Sequence, residues 1–403
     1  MKRVVVTGMG IWSCIGQDLQ TVTESLKQGR SGVIFDPNRV AYGLNSGVLG
    51  YVPLPKLQLP RRFRATMSTD TQFAYMSTQQ ALENAHIDDE YLRQNEVGII
   101  WGNDGNSHMV EHDEIIQAEK DAFLLEPSSL FKEETSSPSM NLATVFHLRG
   151  INLTISSACA SATNAIGVAT TMIRQNMQNM IIVGGSYFQS KEFMLQYDAT
   201  YGLAIDNEHP QKASRPFDVA RDGCVPSSGA ATLVLEEYEH AVARGATILA
   251  EIIGYGAVCG GVEDLSQPYH EGIYRAIKKA LADAKIEANE VDMINAAAPS
   301  SKLDDREEAI ALSKLFANGK TIISCTEALT GHEGWMAGAS KAVYSILMMQ
   351  NSFVAPNINL EQKMDEAQNL IIPNKTVDSD MNIVLNNSIG LGNAYSTIIF
   401  KRV

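Results

Sequence analysis

The stretch Thr154-Ile-Ser-Ser-Ala-Cys-Ala-Ser-Ala-Thr-Asn-Ala-Ile-Gly, which ends at Gly167, decides how this chain is read. Its first residues close a β-branched run from Asn152 to Ser156 and predict a strand, whereas Ala162, Ile166, Ala169 and Ile173 fall at helical spacing. Cys159 therefore stands where a strand gives way to a helix. A thiol there meets the positive end of the helix dipole, which favours its ionised, nucleophilic form. The small neighbours Ala158, Ala160 and Ser161 leave room for a substrate to approach. A cysteine met in isolation is more often a small buried residue; the rest of the chain argues for the nucleophile.

Outward from this joint, strand-like runs alternate with helical patterns. A strand from Val4 to Thr7, helices over Leu19 to Gln28 and Thr71 to Ala85, a strand over 97–101, and strands at Met180 to Val183 and Ala231 to Glu236 make a first half. From Ile248 a second round begins: a strand at Ala250 to Gly254, helices over Gly272 to Ala284 and Asp305 to Phe316, and closing strands Ile383 to Asn387 and Tyr395 to Lys401. Such alternation predicts an α/β protein in two similar halves, 1–247 and 248–403, compatible with an old duplication. The polar, Glu-rich residues 104–138 read as a surface excursion, either a lid or a dimer contact.

The 403 residues are 45% hydrophobic and 19% charged, an ordinary globular composition with no low-complexity tract. A net charge of −14 without clustered Lys/Arg argues against nucleic acid as a partner. The basic run from Lys56 to Arg64 offers a local docking patch for an acidic carrier protein, or is a solvated loop. No stretch approaches the roughly 18 apolar residues of a membrane span. Met1-Lys-Arg leads straight into a strand, so a cytoplasmic protein without membrane attachment is expected. The five cysteines are widely spaced and lack a CxxC pair, which predicts neither disulfides nor a metal site and leaves most as buried thiols. His108 and His112, four residues apart, lack a third ligand, and Gly8-x-Gly10 is a dinucleotide fingerprint without its third glycine.

Several segments together carry a resemblance. They are Val4-Val-Val-Thr-Gly-Met-Gly-Ile-Trp-Ser-Cys-Ile-Gly, the Cys159 segment, Ala213-Ser-Arg-Pro-Phe-Asp with Arg221-Asp-Gly, Leu235-Glu-Glu-Tyr-Glu-His, Thr330-Gly-His and Asn387-Ser-Ile-Gly-Leu-Gly-Asn. From Lys2 to Val403 the chain resembles the elongating β-ketoacyl-acyl-carrier-protein synthases. The resemblance implies a thiolase-like fold of two βαβαβαββ halves in a five-layered α-β-α-β-α arrangement, normally dimeric. It implies that Cys159 takes an acyl chain from the phosphopantetheine of acyl carrier protein, with no bound cofactor and no metal. His332 is then the retained catalytic histidine, and the backbone N–H groups of Cys159 and Leu391 form the oxyanion hole. Glu308 stands at a structural glutamate position.

The chain departs from the family pattern on the carbanion side. Asn295-Ala-Ala-Ala-Pro-Ser-Ser puts Ala297 where the family has its first histidine, and Glu327 stands where it has a lysine. Ser228 replaces an acidic residue near that lysine, so a whole ionic group is expected to be rebuilt, with the Glu327 charge opposing the thiolate. Trp335 and Met336, with Ile389 and Leu391 of the final glycine turn, are expected to reshape the pocket. Three readings follow: a synthase-like acyltransferase with impaired condensation, a non-condensing chain-length-factor-like subunit of a heterodimer, or a malonyl-carrier-protein decarboxylase or acyl shuttle. A homodimer or a heterodimer with another ketosynthase-like chain fits the first two.

Overall fold

A computed structural model of the chain describes residues 1–105, 119–120, 127–200, 202–317 and 319–403. His108 and His112, and much of the predicted excursion over 104–138, lie outside the described residues. Ten strands form one sheet: β1 (Val4–Trp12), β2 (Gly98–Gly102), β3 (Asn152–Ile155), β4 (Met180–Tyr187), β5 (Gly229–Glu237), β6 (Ala250–Cys259), β7 (Met293–Asn295), β8 (Ile322–Ser324), β9 (Ile383–Gly390) and β10 (Ala394–Lys401). Their spatial order is β8-β7-β9-β10-β6-β1-β5-β4-β2-β3. Split between β6 and β1, each half has the same internal order, third-second-fourth-fifth-first. The pairing senses also repeat, with the second strand parallel to both neighbours and the fifth antiparallel to both. The second half thus repeats the topology of the first. The halves join through an antiparallel pairing of Val4, Val5 and Val6 with Ile252, Glu251 and Ala250.

The strands are covered on both faces, so they read as nearly continuous apolar runs; β4 and β5 are buried at every position. Five helices supply the layers. On the outer faces, α1 (Thr69–Asn84) lies against β1 and β5, while α3 (His270–Ala284) and α4 (Lys302–Phe316) cover the second half. Between the half-sheets run α2 (Ser161–Arg174) and α5 (Ala337–Gln350). Every residue of α5 except Gln350 is buried, as a helix sandwiched on all sides requires. The two central helices cross closely at Gly338, where a Cβ would lie 2.1 Å from Thr163 Oγ1.

Gly8-x-Gly10 has a packing role. A Cβ on Gly8 would lie 2.3 Å from the Ala81 carbonyl oxygen and one on Gly10 2.0 Å from that of Ser77, so the pair lets α1 settle on β1. Gly254 and Gly256 do the same in the second half, against Ala280 and Ala276 of α3. The dinucleotide alternative is therefore replaced by close strand–helix approach, used twice. The cysteines also differ from expectation: Cys325 is buried, Cys14, Cys159 and Cys224 are half-buried and Cys259 is exposed. No described helix is long and apolar enough to cross a membrane. Arg61, Arg62 and Arg64 form a short exposed helix within the basic run.

Candidate active site

Cys159 sits in a single 3₁₀ turn, Ala158–Ala160, between β3 and α2. Ala158 has φ +49°, a left-handed conformation unusual for a residue with a Cβ, and costs of about 1–3 kcal/mol are typical of such backbone. The turn is held from both sides. Ser161 Oγ accepts from the Ser157 N–H at 2.8 Å and donates to the Ala158 carbonyl at 2.6 Å. Asn164 donates to Ser157 Oγ, and Tyr255 donates to Asn164 in turn. The turn Gly390–Asn393 leans on the same segment: a Cβ on Gly390 would lie 2.7 Å from the Ser157 carbonyl oxygen.

His332 reaches this thiol from the other half. Its Nε2 lies 3.0 Å from Cys159 Sγ and its Nδ1 2.8 Å from Glu327 Oε2. Glu327 Oε1 in turn lies 2.6 Å from Lys341 Nζ. Glu327 and Lys341 are both almost wholly buried, and β8, a short helix over Glu327–Thr330 and α5 carry the group. Sulfur, imidazole, carboxylate and ammonium thus form a line in which charges of alternating sign can stand side by side.

The electrostatics follow from that order. Burial alone would push His332 down, but the Cys159 sulfur and the Glu327 carboxylate outweigh it and hold His332 well above its ordinary 6.5. Burial works to raise Glu327, yet Lys341 and His332 bring it below the usual carboxylate value. Burial likewise opposes Lys341, and Glu327 raises it nonetheless. The Glu327 charge was expected close to the thiolate; the imidazole of His332 stands between the two. Glu327 meets the thiol only through His332, and Lys341, which the sequence reading overlooked, balances it.

Ser228 does not belong to this ionic group. Its hydroxyl accepts from the Gln189 N–H at 3.1 Å and it lines a separate cavity with Arg39; the expectation that it shares in the rebuilt group fails because its bond goes to that backbone and not to Glu327 or Lys341. Ala297 is buried, and its N–H donates to both Glu308 oxygens at 2.9 Å. Glu308 also accepts from Asn387 at 2.8 Å, tying α4 to β7 and β9, and burial raises it. A second overlooked residue, the acid Glu333, accepts from Ser340 and Tyr344 and is pushed up to about 7, chiefly by burial.

A cavity of about 20 Å³ opens beside Cys159 and His332. Trp335 lines it, whereas Met336 lies behind, its methyl close to Gly229. Ile389 and Leu391 are not among its lining residues, and Leu391 is 66% exposed on the turn. Among the described residues no cluster of three His, Cys, Asp or Glu side chains could hold a metal ion.

The sequence patterns of the Beta-ketoacyl synthase N-terminal and C-terminal domains match residues 1–241 and 249–361. The 3-oxoacyl-[acyl-carrier-protein] synthase 1 of Escherichia coli K12 is 36% identical over 408 residues, covering all of both chains. Among solved structures, a beta-ketoacyl synthase from Burkholderia phymatum STM815 superposes with a TM-score of 0.93 at 31% identity, covering all of both chains. The ishigamide ketosynthase/chain length factor gives 0.91 at 26%, covering all of this chain and 99% of the other.

Proposed function

Since the chain belongs to the β-ketoacyl synthase family, with the thiolase-like fold of its solved neighbours, we propose that its reactive step is transfer of an acyl group from carrier-protein phosphopantetheine onto Cys159. The observation that carries this is the 3.0 Å contact between Cys159 Sγ and His332 Nε2. The Cys159 thiolate attacks the thioester carbonyl, forming a new C–S bond. Breakdown of the tetrahedral adduct expels the phosphopantetheine thiolate, which takes the proton from His332 Nε2. The N–H groups of Cys159 and Leu391 are the proposed donors to the oxyanion. Glu327, on Nδ1, is a positioning residue that fixes the ring and stabilises its protonated form.

Condensation asks for more. Decarboxylation of malonyl-carrier protein develops an enolate oxygen that needs donors, and the methyl of Ala297 supplies none. His332 is then the only side chain of the described pair able to donate. Loss of one such group typically slows a step by about 10² to 10⁴, so we assign slow condensation within type II fatty acid or polyketide synthesis. Acyl carrier protein is the proposed partner, with a homodimer or a heterodimer with another ketosynthase-like chain as the assembly, in the cytoplasm. No bound cofactor enters the scheme, because the substrate arrives on the carrier's own phosphopantetheine.

Ala297 also favours a second reading, a non-condensing chain-length-factor-like subunit, or a decarboxylase or acyl shuttle. One experiment separates them: the purified protein is incubated with acyl- and malonyl-carrier protein, and wild type, Cys159→Ala and Ala297→His are compared. Acylation is expected as a mass increment on the Cys159 peptide, absent in Cys159→Ala. An unmodified peptide under several donors would sink the acyl-transfer reading. CO₂ release without a condensed product would select the decarboxylase, and turnover only with a second synthase-like chain would select the partner subunit.

A further inference from the structure

The cavity beside Cys159 has an unusual wall. Tyr187, Phe193, Tyr197 and Trp335 pack around it, Trp335 edge to face at 4.4 Å from Tyr187 and 5.4 Å from Phe193 between ring centres, and Phe193 tilted at 4.9 Å from Tyr197. An acyl pocket for plain hydrocarbon needs only apolar surface. This one is lined by three rings that each carry a donor, Tyr187, Tyr197 and Trp335. Trp335 is 6% exposed, and its indole Nε1–H is buried without a hydrogen-bond partner. Among the described residues neither the Tyr187 nor the Tyr197 hydroxyl makes a hydrogen bond. A buried donor left unpaired is costly and uncommon, so the Trp335 indole N–H calls for an acceptor that arrives with a ligand, and the two hydroxyls are free to join it.

Size narrows the ligand further. About 20 Å³ is room for one water-sized group, and close packing of four rings resists insertion of a long chain. Burial and the Cys159 sulfur push both phenols above their ordinary value, Tyr187 strongly, which keeps them as neutral O–H donors at any working pH.

Resting on the acyl-transfer reading above, we propose that the Tyr187–Tyr197–Trp335 wall selects short acyl groups bearing an acceptor oxygen close to the thioester, of the 3-oxoacyl or 3-hydroxyacyl class, over saturated chains. The reacting carbonyl lies at Cys159, and the oxygen two carbons further on meets the donors of the aromatic wall. A saturated acyl group of equal length leaves those donors unpaired. A long one collides with the rings.

The test uses the full chain with four pantetheine thioesters: butyryl, 3-oxobutyryl, 3-hydroxybutyryl and decanoyl. The rate of acyl-enzyme formation is read by intact mass. The oxygenated four-carbon donors are expected to acylate Cys159 about tenfold faster than butyryl, the worth of one well-made hydrogen bond, and decanoyl to lag behind butyryl. In the double variant Tyr187→Phe with Tyr197→Phe, the ratio of 3-oxobutyryl to butyryl should fall toward one; being a ratio, it is insensitive to a general loss of rate. In Trp335→Leu the decanoyl-to-butyryl ratio should rise. Equal rates for butyryl and 3-oxobutyryl in the wild type, or a ratio unmoved in the double variant, would overturn the pocket assignment while leaving acyl transfer intact. Failure of all four donors to modify Cys159 would overturn both.

Discussion

The same strand-to-helix joint occurs in both halves of the molecule, and the two copies have diverged. Between β3 and α2 the chain uses only residues 156–160, one tight turn that presents a thiol. Between β8 and α5 it spends residues 325–336, and this longer copy carries Glu327, His332, Glu333 and Trp335. One joint offers the thiol; its counterpart offers the imidazole and carboxylate in line with it and one ring of the cavity wall beside it. The repeated topology thus places two equivalent joints close enough for Cys159 Sγ and His332 Nε2 to meet, and the two carry different groups.

The largest effect comes from breaking the first joint: Cys159→Ala should abolish acyl-enzyme formation, read as the missing mass increment. Breaking the support of the second, at Lys341 in α5, should cost stability. Lys341→Met leaves the buried Glu327 carboxylate without its cation, a loss of about 3–5 kcal/mol visible as a lowered unfolding midpoint in urea. Adding Glu327→Gln to that variant should recover most of it.

Glu327→Gln alone should slow acylation by about 10² and move the alkaline limb of its pH profile to lower pH. The sign follows because Glu327 raises His332, so removing it lets the imidazolium lose its proton earlier. Glu333 titrates with the opposite consequence. Its native value near 7 lies above the ordinary 4.5, so the fold retains a proton that the unfolded chain has lost. Stability should therefore fall as pH rises from about 4.5 to 7, by about 3 kcal/mol. Glu333→Gln should flatten that dependence in urea titrations at pH 5 and pH 8. The smallest effects sharpen the symmetry itself: Gly10→Ala and Gly256→Ala should each cost about 1–3 kcal/mol, because each drives a methyl into the helix it supports.

The long strands were legible because their burial on both faces leaves uninterrupted apolar runs, and the helix over Leu19–Gln28 because it is amphipathic and capped by Asp18 and Gly29. β7 and β8 were not, since three residues carry no periodicity. α5 was missed for the opposite reason: apolar on every side, it has no face to read. The place of Cys159 between strand and helix was legible in its own segment, whereas His332 was legible only through the resemblance of Thr330-Gly-His to a family run. Lys341 was not, although a lone lysine among alanine, valine and methionine is a signal that a buried charge has a partner. Ser228 misled because adjacency in a family pattern was taken for adjacency in space.

The Glu327–Lys341 contact has a consequence for how this site can change over generations. Exchanging either residue alone strands its partner's charge in the interior, and a chain weakened by several kcal/mol is depleted by cellular quality control before any new chemistry can be tested. The arrangement is therefore a ratchet: descendants can leave it only by altering two codons together, or after acquiring surplus stability elsewhere.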